Sequence, residues 1–255
     1  MRTLISLLPA LVAPIFAANI QRHPPSLIAG HVLRQENNPD PTVGGSPDGG
    51  WQSMPQVTDA TAYPNWMLDN SGAMLPVYQT TGLISTKVTR AVIILPGKPR
   101  DCWYYWNAMN NALYLANYQN SSILRSQISI MAPCFWTEAD VEAAQSDVLV
   151  WGMTTWISGH ENTLYPNLNT VVLAGHSAGG QMVQRYVGLR QTMKDDDRLH
   201  FWVANPGSLM WLSADRPHPN ASCSGVDDYK YGLGGDFPAH QGKSKCWILS
   251  DVVES

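Results

Sequence analysis

The segment Thr170 to Gln191, TVVLAGHSAGGQMVQRYVGLRQ, constrains this chain more than any other. An unbroken apolar run, Val171 to Ala174, meets Gly175-His176-Ser177-Ala178-Gly179-Gly180, after which Met182, Val183, Tyr186 and Val187 recur at three- and four-residue intervals. This pattern predicts a buried strand, a sharp turn and a helix whose apolar face packs on a sheet. A serine at the apex of such a turn takes a strained backbone. Side chains two positions to either side would collide with the neighbouring strand and helix, and glycines at 175 and 179 remove that collision. The turn lifts the Ser177 hydroxyl above the carboxyl edge of the sheet and aims the Ala178 N–H at the same point. That geometry suits acyl transfer, with Ser177 as nucleophile.

The 255 residues, 44% hydrophobic and only 14% charged, fit one large α/β domain with a substantial core. A net charge of −4 without a basic block gives no sign of nucleic-acid binding. Residues 1 to 18, MRTLISLLPALVAPIFAA, place Arg2 before an apolar run that ends in small residues, which reads as a secretory signal peptide. The run is short for a bilayer and is interrupted by Pro9 and Pro14, so stable membrane insertion is not expected. In an oxidising compartment Cys102, Cys134, Cys223 and Cys246 allow two disulfides in any of three connectivities. Sequons at Asn120 and Asn220 agree with the secretory route.

Residues 19 to 50 are rich in Pro, Gly and Asn and read as a linker or an arm over the surface. The domain proper begins near residue 51, with edge strands expected at Met74 to Thr80 and Leu83 to Val88. Ala91 to Leu95 is a continuous apolar strand stopped by Pro96-Gly97. The loop Gly97 to Asp101 precedes an aromatic-rich helix, Cys102 to Ala116, so its backbone could supply a second oxyanion donor. Pro99 has no N–H, which leaves Gly97, Lys98 or Arg100. Ser126 to Ala132 fits another strand, and Thr137-Glu-Ala-Asp140 has the form of a capping box. Trp151 and Trp156 read as core aromatics, Lys194 to Asp197 as a solvated turn, and Leu199 to Ala204 as a further buried strand. Neither a metal nor a cofactor is implied, and Gly232 to Gly235 lacks the strand and helix of a nucleotide loop.

With Val92 to Trp106, Thr170 to Tyr186, Val203 to Ser208 and Tyr229 to Pro238 in view, the chain resembles a fungal-type secreted member of the α/β-hydrolase superfamily over roughly residues 75 to 240. The resemblance implies an open, mostly parallel sheet with helices on both faces, Ser177 as nucleophile, and an oxyanion hole from the Ala178 N–H and the loop at Gly97 and Lys98. An acid and then a histidine on later strands should complete the triad. The stretch after Ser177 is shorter than the roughly 90 residues that the remaining strands and crossovers need at about 30 per βα unit. The last strands are therefore expected to be missing, the sequence being absent or divergent after about residue 240.

Asp236 and His240 stand in the right order, but a spacing of four cannot place them on two strand ends. Asp251 has no histidine after it, and His176 should point away from the nucleophile. Gly242-Lys243-Ser244 would fit translation of a retained splice donor. The expected function is a secreted serine hydrolase of small-molecule or lipid esters, weak or inactive for want of a base. A non-catalytic secreted binding protein, or an unstable truncation product, is the alternative.

Overall fold

The computed structural model describes residues 38–68, 72–144, 148, 165–190 and 196–212, with scattered positions from 222 to 234. A two-stranded hairpin, β1 (Gly45–Ser46) and β2 (Gly50–Trp51), precedes a six-stranded sheet. The sheet consists of β3 (Ala60–Met67), β4 (Met74–Thr80), β5 (Arg90–Leu95), β6 (Ile128–Pro133), β7 (Thr170–His176) and β8 (Leu199–Ala204), in spatial order β3-β4-β6-β5-β7-β8. The pairs β3/β4 and β4/β6 are antiparallel, and β6/β5, β5/β7 and β7/β8 are parallel. Three α-helices are present among the described residues: α1 (Cys102–Gln119), α2 (Glu138–Ala144) and α3 (Ala178–Leu189).

The two faces of the sheet carry separate cores, because alternate side chains of a strand point to opposite sides. On one face Trp103 and Trp106 of α1 pack on Tyr78, Ile94, Ile130, Ala132 and Ala174. On the other, Val183 of α3 packs with Leu75, Val77, Ile93, Leu95 and Met131. Helices therefore cover both faces. Parallel strands buried in this way need apolar residues at nearly every position, which is why RAVIIL and ISIMAP read as continuous runs.

Several expectations need correction. Met74 to Thr80 is not an edge strand but lies between β3 and β6. Pro76 is tolerated there because the register with β3 skips between Tyr63 and Trp66, so the missing N–H falls opposite a bulge. The strand at that end of the sheet is β3, which accommodates Pro64 in that same bulge. Leu83 to Val88 is not a strand; Ser85–Lys87 forms a 3-10 turn with no buried residue, while Val88 is buried and Leu83 packs half-buried against the same cluster. Thr137 does open a helix, with the Asp140 carboxylate accepting from the Thr137 N–H at 2.7 Å.

Cys102, the first residue of α1, is bonded to Cys134 just beyond β6. Cys223 and Cys246, Trp151 and Trp156, and residues 1 to 18 lie outside the described residues. The bridge spans a sequence separation of 32, so replacing both cysteines by serine should cost about 2 to 4 kcal/mol. Urea denaturation of the oxidised wild type and the double variant measures this.

Candidate active site

The site follows from strand register. In the parallel β5/β7 pair Leu95 stands opposite Gly175, and two residues further along each chain Gly97 comes to lie beside Ser177. A β-carbon on Gly97 would stand 3.4 Å from Ser177 Cβ. The neighbouring strand fixes the serine from the other side, where the Ser177 N–H donates to Ala204 O at 3.0 Å.

Ser177 has φ 56° and ψ −116°, a conformation that costs a non-glycine residue about 1 to 3 kcal/mol and persists only where the surroundings impose it. Close backbone approach supplies the imposition. A β-carbon at Gly175 would stand 2.3 Å from Gly179 O, and one at Gly179 would stand 2.4 Å from Leu95 O. Both contacts are to backbone, which cannot swing aside as a flexible side chain can. α3 begins directly at Ala178, so its first N–H groups have no partner within the helix and face the serine with the positive end of the helix dipole.

The loop across from them narrows the choice of second oxyanion donor. The Arg100 N–H is engaged with Gly97 O at 3.0 Å. The Gly97 N–H lies against the Tyr105 hydroxyl, whose ionisation it favours. Among the described residues the Lys98 N–H makes no hydrogen bond. Of the three candidate N–H groups, that of Lys98 is thus left unengaged among the described residues.

Tyr105, in the first turn of α1, was not singled out by the sequence, where it is one of several aromatics in CWYYW. Its hydroxyl lies 2.9 Å from His176 Nδ1. Burial raises the phenol, with the nearby Asp101 charge adding to it, to about 12. The His176 ring is pushed the other way, since burial disfavours its charged form. A neutral ring that accepts at Nδ1 carries its proton on Nε2. His176 Nδ1 is thus engaged with α1 through the Tyr105 hydroxyl.

The other described histidine, His200, pairs with Val172 at the far end of its strand. Among the described residues no histidine or carboxylate is within hydrogen-bonding distance of the Ser177 hydroxyl. Asp236, His240 and Asp251 lie outside the described residues, as does Asn220. Asn120 follows the last residue of α1 in an exposed turn, its side-chain oxygen accepting from the Ser122 N–H at 3.0 Å. Among the described residues there is no cluster of three His, Cys, Asp or Glu that could hold a metal, and no helix long and apolar enough to cross a membrane.

A sheet ordered first-second-fourth-third-fifth-sixth by its own strands, antiparallel at the second and with a serine elbow after the fifth, decides the architecture. It is an α/β-hydrolase fold. No protein-family model and no curated protein sequence matches the chain. Solved structures similar to it include poly(aspartic acid) hydrolase-1 from Sphingomonas sp. KT-1, at 17% identity and TM-score 0.40 over 74% of this chain and 65% of that one. LpqC, a poly(3-hydroxybutyrate) depolymerase from Bordetella parapertussis, is 20% identical with TM-score 0.39 over 63% of this chain and 56% of that one. The Pyrococcus furiosus esterase PF2001 is 12% identical with TM-score 0.33 over 72% and 55%. The chain thus spans less than two thirds of the length of each. At these scores the likenesses carry no weight for substrate or mechanism, and the fold assignment stands on strand order and elbow geometry.

Two outcomes are expected. Gly179→Ala should destabilise the chain by about 1 to 3 kcal/mol or prevent folding, since the added carbon meets backbone; chemical denaturation is the measurement. An NMR titration of the His176 ring should give a midpoint below the usual value of about 6.5. Below that value the unfolded chain binds the extra proton first, so this group's contribution to stability is complete above about pH 6.5 and is lost as pH falls.

Proposed function

We propose that this chain is a secreted serine hydrolase acting on uncharged carboxylic esters, with Ser177 as nucleophile and the Ala178 and Lys98 N–H groups as oxyanion donors. The observation that carries the reading is Ser177 itself. A non-glycine residue held at φ 56° between a parallel strand and a helix N-terminus, with a glycine loop alongside, is a costly arrangement that a surface serine does not need.

In the reaction Ser177 Oγ bonds to the acyl carbon as its proton passes to a base, and the carbonyl electron pair moves onto oxygen between the two N–H groups. Collapse of that intermediate breaks the bond to the alcohol, which leaves with a proton, and water then releases the acyl group from Ser177 by the same steps. Secretion is supported by the apolar segment 1 to 18, the Cys102–Cys134 disulfide and the exposed sequon at Asn120, which is proposed to be glycosylated.

Weak reactivity is part of the proposal, since Asp236 and His240, four residues apart, cannot occupy the ends of two different strands as an acid and a base must. A serine elbow without its full triad retains about a thousand- to ten-thousand-fold of catalysis over the uncatalysed reaction, from binding and oxyanion stabilisation alone. The same observation favours the second reading, a secreted binding protein that keeps the pocket without turnover.

Intact-mass analysis after exposure to a fluorophosphonate probe separates these. Slow formation of one adduct on Ser177, absent in Ser177→Ala, is expected. Labelling as fast as in a complete triad enzyme would refute weak reactivity. No adduct on Ser177 after prolonged exposure would reject the nucleophile and favour the binding protein.

A further inference from the structure

The loop that carries Lys98 is held from outside the sheet by a buried ion pair. Arg100 is 9% exposed and Asp140 is 0% exposed. Arg100 Nε donates to Asp140 Oδ2 at 2.6 Å and Nη2 to Oδ1 at 3.0 Å, a two-pronged contact. Two further guanidinium hydrogens are used, one of Nη2 on Pro47 O at 2.8 Å and one of Nη1 on Lys98 O at 3.3 Å. Asp140 accepts in addition from the Trp51 N–H at 2.8 Å and from the Thr137 N–H and hydroxyl at 2.7 and 2.9 Å. Burial alone would raise this carboxyl, but the Arg100, Thr137 and Trp51 donors outweigh it and hold it below the ordinary carboxylate range.

A charge pair buried so fully is expensive to desolvate and contributes little net stability against an apolar pair of the same volume. Its position suggests what it provides. Arg100 sits at φ 63°, a left-handed conformation that its buried side chain locks in place. In that conformation its N–H reaches back to Gly97 O. Gly97 C=O and Lys98 N–H belong to one planar trans peptide and point in opposite directions. Fixing the carbonyl on Arg100 therefore fixes the direction of the Lys98 N–H.

The arm closes the socket. The Trp51 indole N–H donates to Pro99 O at 2.6 Å, its ring meets Trp103 edge-on at 4.9 Å, and Gly50 lies so near α2 that a β-carbon there would stand 2.2 Å from Ala139 O.

We propose that Arg100 is a positioning residue, seated by Asp140 and Trp51, that presents the Lys98 N–H to the oxyanion formed at Ser177. The role rests on Ser177 being the nucleophile. It concerns only the transition state, where negative charge appears on oxygen, so it should affect the rate of bond formation and not prior binding. With a fluorophosphonate the step forms Oγ–P, expels fluoride, releases the serine proton to solvent, and places charge on the phosphoryl oxygen in the same position.

The test uses the full chain and Arg100→Lys, which keeps the charge but cannot make the two-pronged contact. Saturation kinetics of labelling give a maximal rate constant and a half-saturating probe concentration. Hydrogen exchange of residues 96–101 and 171–176 is followed in parallel. A fall of tenfold or more in the maximal rate is expected, with half-saturation within twofold, and exchange faster in the loop but unchanged in the strand. An unchanged maximal rate, or a loss carried wholly by half-saturation, overturns the proposal. If wild type does not label, the Ser177 reading fails by itself. Exchange then decides the clamp: unchanged loop protection overturns it, and faster loop exchange sustains the hold on Lys98. Should Arg100→Lys fail to fold, Asp140→Asn, which removes the carboxylate charge and keeps one acceptor oxygen, for Trp51 or for Thr137 but not for both, is read against the same outcomes.

Discussion

The backbone of α3 passes so close to the end of β5 that no β-carbon fits between them, and the geometry of the site depends on that contact. With Gly179 seated against Leu95 O, the helix starts immediately after β7 and the serine at the junction has no relaxed conformation open to it. The strain is local, but the restraint is distributed. β8 holds the Ser177 N–H, β5 sets the level of Gly97 through its register, and Tyr105 joins α1 to the elbow through His176. Each element contributes one fixed point around a single hydroxyl.

Those fixed points were unequally legible in the sequence. Val171 to Ala174 and Ala91 to Leu95 stand out because a strand buried on both faces must be apolar throughout. The elbow stands out because only glycine fits its two flanks. β3 was hidden because Pro64 and Asn65 interrupt its alternation, and the bulge that absorbs them cannot be seen without the partner strand. Leu83 to Val88 misled because a few apolar residues resemble a strand when the turn at Ser85–Lys87 is not yet known to close.

The site shows the same division between local and distant signals. Ser177 and Ala178 are neighbours in sequence and were legible together. Asp140 was legible as half of a capping box, a bond made three residues away, but its bond to Arg100 crosses 40 residues and leaves no periodic trace. Tyr105 was lost among neighbouring aromatics, since composition says nothing of which ring in CWYYW turns its hydroxyl toward the elbow. Only the parallel register, which brings residue 97 alongside 177, converts two distant motifs into one site.

The arm has a consequence for the order of assembly. Residues 47 to 51 leave the ribosome before any strand of the main sheet, yet their partners at Pro99, Arg100 and Asp140 lie 48, 53 and 89 residues further along. Contacts of such separation form late, because the entropy of closing the intervening chain must be met before they give anything back. The β5/β7 pairing that sets Gly97 beside Ser177 joins residues 90 and 170 and meets the same cost, so the arm, the loop and the elbow are completed by steps of comparable reach. Residues 47 to 51 are made before any strand of the main sheet, yet they are fully seated only once Asp140 has been made.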